Sequence, residues 1–274
     1  MFSYSWPFVF YGLVVFVFYW VDSFMIGIFQ TANEVGYYNA ATPIALLLTF
    51  PLTLFIQLFF PLVTKEFSKG RLEIVKQLSQ QVGKWIFMLT APLFSLFMIF
   101  PGAFINILFG AEYLVATNAL RFLSIGALFS ALFGISQELI SMKGKSKLIL
   151  IDTACTGVLN VILNFFLISR YGITGAGIAT MISLIILNLL FFLQSYKYLS
   201  IIPFRRKIFR ITLVTLISTF LLFIIKSFFE INILSLIFCA FFFLLTYALL
   251  ILVTNSLDKN DMYILRTFYR KIII

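Results

Sequence analysis

Asp22 is the strongest candidate for chemistry in this chain, because it is an acidic residue inside a long apolar run. Apolar residues occupy positions 21 and 24–26 around it. An acidic side chain at the centre of a membrane span costs about 2.5–3.5 kcal/mol on insertion scales, and it persists where it faces a cavity or a partner. We therefore predict that Asp22 lies on a proton or cation pathway, or in a salt bridge.

Arg121 and a pair of asparagines are the next candidates. Arg121 begins an apolar run, where it can attract an anionic headgroup, pair with Glu112 or Asp22, or simply extend its charge to the membrane surface. Asn160 and Asn164 are four residues apart, so they share one face of a helix. We predict that they line a path, with hydrogen bonding between helices as the alternative.

Three other features have simpler explanations. Pro51, the most central of five prolines in two neighbouring runs, is a candidate hinge, although proline is common in membrane helices. Glu138 and Asp152 lie near three lysines and are predicted to pair with them at the membrane surface. The small residues of 172–180 are predicted to let two helices approach closely.

Composition excludes several classes of protein. Of 274 residues, 62% are hydrophobic, 11% are charged and none is histidine. The chain therefore lacks the commonest general base and metal ligand, and its two cysteines have no zinc-site spacing. The net charge of +10 comes from residues that flank apolar runs, which indicates contact with membrane lipids and not with nucleic acid. We expect no metal and no cofactor, apart from a coupling H⁺ or Na⁺.

The apolar runs predict an all-α, polytopic membrane helix bundle with about eight transmembrane helices. A helical span needs about 20 apolar residues, and irregular backbone or open sheet edges do not face lipid. The predicted spans are 5–29, 37–62, 84–104, 117–141, 147–168, 174–196, 209–226 and 231–253.

Basic residues predict the orientation of these spans. Seventeen of the 20 lysines and arginines fall in every second gap or in the tail after the last span. The excess of basic residues on the cytoplasmic side of membrane proteins then places both termini in the cytoplasm. Apolar residues at helical spacing in 71–84, and a similar mixture in 259–274, predict amphipathic helices on the inner membrane surface.

Four segments together resemble the Wzx-type polysaccharide flippases of the MATE-like (MOP) superfamily. They are VDSFMIGIFQTANEVGYYNAA (21–41), ILFGAEYLVATNALRFLS (107–124), LISMKGKSK (139–147) and RYGITGAGIAT (170–180). Their order and spacing over roughly 1–200 carry the resemblance, since no one of them is diagnostic.

The resemblance implies a fold of two six-helix lobes around a central cavity. It implies that 1–200 is the C-terminal lobe and that 201–274 adds two transmembrane helices and a cytoplasmic amphipathic tail. The implied activity is translocation of undecaprenyl-diphosphate-linked oligosaccharide from the inner to the outer leaflet of the cell membrane by alternating access. Asp22 matches the acidic residue of the family's seventh helix, and Arg121 falls where a cavity arginine can meet a diphosphate. The N-terminal lobe would be a partner or part of a longer chain.

Other functions stay open from the sequence. One is a drug or metabolite exporter of the same superfamily, for which an acidic and aromatic cavity would be expected. Another is a structural membrane subunit, or a truncated remnant that does not transport. A membrane-embedded enzyme such as a glycan polymerase is disfavoured, because the outer loops are short and histidine is absent.

Overall fold

The chain folds as a bundle of helices. The computed structural model describes residues 2–204, 207–228, 233–254 and 256–257, and within these ranges there is no strand. This confirms the predicted all-α fold class. The α-helices of the described chain are α1 (Phe2–Phe29), α2 (Ala32–Leu46), α3 (Phe50–Ser68), α4 (Leu72–Ile99), α5 (Pro101–Phe109), α6 (Thr117–Met142), α7 (Ser146–Leu199), α8 (Lys207–Lys226) and α9 (Ile233–Val253).

Seven helical stretches of the described chain are apolar and long enough to cross a membrane. Each of the eight predicted spans overlaps one of them. The difference of one arises at α7, which is 54 residues long and contains both the fifth and the sixth predicted span.

Helix α7 is a hairpin of two antiparallel arms that meet at Gly172. Gly172 has φ 57° and ψ −138°, which is not a helical conformation. Asp152 and Gln194 are hydrogen-bonded at 2.6 Å although 42 residues separate them, a length of about 60 Å in a straight helix. The two arms, 146–171 and 173–199, are therefore the separate spans that the sequence predicts.

Close backbone contacts hold this hairpin. A Cβ on Gly175 would lie 2.1 Å from the carbonyl oxygen of Leu167, so the second arm begins directly against the end of the first. A Cβ on Gly177 would lie 3.1 Å from the backbone oxygen of Ala119 on α6. The small residues of 172–180 thus pack helices closely, as predicted.

Large apolar side chains cover the outside of the bundle. Ile28, Leu58 and Phe220 are 76%, 71% and 64% exposed. Apolar patches of this extent are rare on soluble monomers but are what a surface in contact with lipid tails requires. The chain is a multi-pass membrane protein.

The second predicted span is broken near its middle. A 3₁₀ turn, Leu47–Thr49, separates α2 from α3, and the backbone of Pro51 lies in the first turn of α3. Proline fits there, because the first turn of a helix has no internal partner for the missing N–H. The break coincides with the proline that the sequence marks as a candidate hinge; whether the chain bends there stays a prediction.

Segment 71–84 is not a separate surface helix. It forms the first half of α4, which continues without interruption to Ile99. Lys84, one of the 17 basic residues counted in the predicted cytoplasmic gaps although it is also the first residue of the predicted span 84–104, is fully buried within this helix. Val75 and Val82 pack into a core cluster with Ile135 and Leu139 of α6. The apolar face of this segment is therefore packed against another helix and does not lie on the membrane surface. The second predicted amphipathic segment, 259–274, lies outside the described residues.

The chain divides into two compact units, 1–205 and 206–274. The first contains α1–α7, with a core that includes Ile26 of α1, Tyr38 and Ile44 of α2, and Leu120 of α6. The second contains α8 and α9, which pack against each other. The predicted division into a lobe and two trailing helices stays a prediction about the longer family fold.

Replacing Gly172 by alanine is expected to lower the free energy of unfolding by about 1–3 kcal/mol, because a side chain is strained at this backbone conformation. The melting midpoint of the purified protein in detergent measures the effect. Gly157→Ala in the same helix is the control, since its Cβ would lie 3.7 Å from Phe18, an ordinary contact. Equal midpoints for the two variants would contradict the assigned turn.

Candidate functional site

Asp22 lies on α1, two turns before that helix ends at Phe29, and it is 4% exposed. Ile26, one turn further along α1, is fully buried, so this face of the helix points into the bundle. Removing a carboxylate from water is costly unless it is hydrogen-bonded. The groups around Asp22 therefore decide whether the helix can bury it.

Three side chains from two helices donate hydrogen bonds to the Asp22 carboxylate. The Tyr38 hydroxyl on α2 donates to Oδ2 at 2.5 Å, and Asn164 Nδ2 on the first arm of α7 donates to Oδ1 at 2.6 Å. The Thr180 hydroxyl on the second arm also donates to Oδ2. The carboxylate thus ties α1 to α2 and to both arms of the hairpin.

Asn160, one turn before Asn164 on the first arm of α7, also belongs to this cluster. Its Oδ1 accepts from Asn164 Nδ2 at 3.0 Å, and its Nδ2 donates to Thr180 Oγ1 at 3.3 Å. Asn160 and Asn164 are both fully buried, and they face Asp22 together as their spacing predicts. We call Asp22, Tyr38, Asn160, Asn164 and Thr180 the Asp22 cluster.

A cavity of about 430 Å³ opens beside the cluster. Asp22, Tyr38 and Thr180 form part of its wall, so the carboxylate borders the cavity while Asn160 and Asn164 lie behind it. Further wall residues are aromatic side chains of α1 and polar or proline residues of α2, namely Phe18, Tyr19, Trp20, Asn39, Thr42 and Pro43. Among the described wall residues Asp22 is acidic, four are aromatic, others such as Leu123 and Leu184 are aliphatic, and none is basic.

Arg121 is not part of this site. It is half-buried on α6, and its Nη1 donates to Asn118 Oδ1 at 3.1 Å on the same helix. The ion pairs of the described residues join Glu66 or Glu73 to basic residues at 69–76, and none involves Arg121, Glu112 or Asp22. Among the described residues Arg121 therefore forms neither of the two ion pairs considered from the sequence, and one N–H of its guanidinium is held by Asn118 one turn away.

The two acidic residues near the predicted cytoplasmic side also differ from expectation. Asp152 Oδ2 accepts from Gln194 Nε2 at 2.6 Å, across the hairpin. No ion pair of the described chain joins Asp152 or Glu138 to a lysine. Lys145 instead lies over the ring of Tyr198, 5.1 Å from its centre. The predicted charge pairing is therefore wrong for the described residues.

Sequence reasoning missed Tyr38 and Thr180. Both lie in segments that carry the family resemblance, but nothing in a single sequence shows that a tyrosine 16 residues away and a threonine 158 residues away meet Asp22. The sequence did show that Thr180 lies among small residues, which let the second arm approach α1. The same stretch therefore both packs the helices closely and supplies a hydrogen-bond donor to Asp22.

The Asp22 cluster suits a proton or a monovalent cation. It offers one carboxylate together with hydroxyl and amide oxygens, whereas divalent ions favour several charged oxygen ligands. The described residues contain no group of three or more His, Cys, Asp or Glu side chains that could hold a metal ion. Hydroxyls can rotate and amides can turn over, so the donors around Asp22 can also present oxygen atoms.

The sequence is similar to those of proteins described for polysaccharide or glycan biosynthesis. The profile of a family described as "Polysaccharide biosynthesis protein" matches residues 1–118. The probable low-salt glycan biosynthesis flippase Agl15 of Haloferax volcanii is 27% identical over 164 residues, which are 60% of this chain and 35% of the relative. The putative O-antigen transporter of Shigella flexneri is 27% identical over 168 residues, 60% of this chain and 39% of the relative.

The fold is also that of a solved flippase. The lipid II flippase MurJ, in an inward closed conformation, superposes with a TM-score of 0.72 at 20% identity, over 96% of this chain and 52% of that one. The chain thus spans about half of that structure, and the matches to the two curated relatives cover less than two fifths of their length. These comparisons confirm the resemblance to MOP-type flippases.

Replacing Thr180 by valine is expected to lower the free energy of unfolding by about 1–3 kcal/mol, because a buried carboxylate loses a donor and Asn160 loses its acceptor. The melting midpoint in detergent reports the change. Ser23→Ala is the control, since it also removes one side-chain hydrogen bond, that to Asn39 at 2.8 Å, but this bond is exposed. If both variants melted together, the buried cluster would not stabilise the bundle.

Proposed function

We propose that this chain is the C-terminal part of a flippase that moves undecaprenyl-diphosphate-linked oligosaccharide from the inner to the outer leaflet during polysaccharide biosynthesis. The observation that carries the proposal is the buried Asp22 cluster inside a fold that superposes on half of MurJ. The names of the relatives Agl15 and O-antigen transporter support the substrate class.

The proposed mechanism is alternating access between two lobes. The first unit supplies one wall of the central cavity, and the remaining part of a longer protein, or a second polypeptide, supplies the other. Both termini of the described bundle lie in the cytoplasm, as the basic residues predict. The protein acts as a transporter and forms no covalent bond with its substrate.

Asp22 is the proposed site of the coupling ion, either H⁺ or Na⁺. The three donors leave one lone-pair site of the carboxylate open, and a cation bound there weakens the hydrogen bonds that the donors make to the same oxygen atoms. Tyr38 is the α2 residue that contacts Asp22, so cation binding changes the link between α1 and α2. A ligand can shift a conformational equilibrium only through such a difference in contacts.

Arg121 is proposed to meet the diphosphate of the lipid carrier. Its guanidinium is half-buried and fixed by Asn118, which leaves further donors of the planar fork for a phosphate. It lies outside the Asp22 cluster, so substrate contact and ion binding involve different residues.

A cationic drug or metabolite exporter is the second candidate. The acidic, aromatic wall of the cavity beside Asp22 favours it, because aromatic faces and a carboxylate attract organic cations. Cells without the protein would then become sensitive to cationic compounds while their surface polysaccharide stayed normal. The names of the relatives favour the oligosaccharide flippase.

Cells that carry the Asp22→Asn variant are expected to have less surface polysaccharide than wild-type cells, because a neutral amide cannot bind the coupling ion as a carboxylate does. The amount of polysaccharide on the cell surface and the amount of protein in the membrane are measured together. Glu73→Gln is the matched control, since its carboxyl is 68% exposed and pairs only with Lys76 among the described residues. Normal polysaccharide with Asp22→Asn would contradict the proposal.

Replacing Arg121 by glutamine is expected to reduce export by about tenfold, the usual effect of losing a hydrogen bond to a charged group. Arg121→Lys should retain part of the activity, because it keeps the charge but loses the planar fork. Arg170→Gln, at an exposed position beside the hairpin turn, is the control. Equal export by the Arg121→Gln and Arg170→Gln variants would remove Arg121 from the substrate path.

A further inference from the structure

Four polar residues form a row along the first arm of α7, leading away from Asp22. Asp152, Thr156, Asn160 and Asn164 are spaced by four, so they follow one ridge of the helix over about 18 Å. Thr156 is 2% exposed, and Asn160 and Asn164 are fully buried. Polar side chains at such depth in a membrane bundle face a partner or a pathway.

The row has a carboxyl group at each end. Asn164 donates to Asp22 at one end, and at the other end Asp152 is itself the last member. Asp152 is only half-buried, so this end opens toward the surface of the bundle, where Gln194 of the second arm donates to it. The row therefore joins the Asp22 cluster to a partly accessible acid on the same helix.

Hydrogen-bonding groups lie between the two ends, with a gap between Asn160 and Thr156 that no direct bond spans. Asn160 Oδ1 accepts from Asn164, and one turn further along the row the Thr156 hydroxyl points at the backbone oxygens of Asp152 at 2.7 Å and Thr153 at 3.1 Å. A threonine hydroxyl donates one hydrogen and accepts up to two, so Thr156 can also accept from the side facing Asn160.

Each end of the row also carries a buried acceptor that no described residue satisfies. These atoms are Asn164 Oδ1 beside Asp22 and Gln194 Oε1 beside Asp152. An unsatisfied buried acceptor costs about 1–3 kcal/mol, so both positions favour a water molecule or another group that brings a proton.

The row suits protons better than a hydrated cation. The cavity of about 430 Å³ is bordered by Asp22 and Thr180 and not by Asn160, Thr156 or Asp152. A hydrated sodium ion needs such a space, whereas a proton is passed between hydroxyl groups and single waters.

We propose that the 152–164 row carries protons between Asp152, at the half-buried end of the row, and the cavity that Asp22 borders. In each cycle the Asp152 carboxyl gives up one proton and takes another from the water outside, while the Asp22 carboxylate takes up one proton, through Thr156 and water held at the amides, and releases it to the cavity. The proposal rests on the proposed role of Asp22 as the coupling site, and it identifies the coupling ion as H⁺ and its entry as the partly exposed end of the α7 hairpin.

The test uses the 274-residue chain reconstituted in liposomes that contain a pH-sensitive dye. An imposed pH gradient should decay faster than in protein-free liposomes. Thr156→Val should slow this decay by about tenfold, since it keeps the shape of the side chain but removes one hydroxyl from the row. Thr156→Ser, which keeps the hydroxyl, should restore it.

Thr215→Val on α8 is the matched control. Its hydroxyl is also buried and bonds to the carbonyl of its own helix, that of Ile211 at 2.8 Å, but it lies outside the row. This variant should conduct protons as the wild type does. Should the Thr156→Val protein not fold, Asp152→Asn at the half-buried end gives the same measurement.

Two results would overturn the proposed path. One is a Thr156→Val protein that dissipates the gradient as fast as the wild type, and the other is a wild type no faster than protein-free liposomes. Neither result touches the flippase assignment, which is decided by surface polysaccharide in cells that carry Asp22→Asn.

Discussion

The hydrogen bonds that hold the Asp22 carboxylate inside a lipid-facing bundle are the constraint on which the rest of the first unit depends. Tyr38 of α2 and Asn164 and Thr180 of the two arms of α7 must all reach one carboxyl group. Both arms can do so only because the chain reverses at Gly172, and the second arm can come close only because small residues follow that turn. The burial of Asp22 therefore depends on both the turn at Gly172 and the small residues that follow it.

The spans, the fold class and part of the site could be predicted from the sequence, because long apolar runs and an acid within one of them are local signals. Asn160 and Asn164 were within reach for the same reason, since their spacing alone places them on one face. Tyr38 and Thr180 were not, because their contact with Asp22 is set by tertiary packing. Lys84 was assigned to a cytoplasmic gap because it is charged, but it lies on a buried face of α4.

The first unit separates its polar groups into two environments. An acidic, aromatic cavity borders Asp22 on one side, while a closely packed row of hydroxyl and amide groups continues behind it. Arg121 belongs to neither. In the proposed flippase, the ion therefore binds at Asp22 and the lipid carrier is met at Arg121 on α6 of the same unit, so that the conformation of the helices joins the two events.

The most direct test of Asp22 as an ion-responsive centre is the melting midpoint of the purified protein, measured as sodium chloride replaces choline chloride and, separately, as the pH is lowered. A ligand that binds the folded state raises its stability in proportion to RT ln(1 + [L]/Kd). The wild type is expected to respond to protons, the ion that the 152–164 row is proposed to carry, and the Asp22→Asn protein is expected to lose that response. An identical response of both proteins to sodium and to protons would contradict the account.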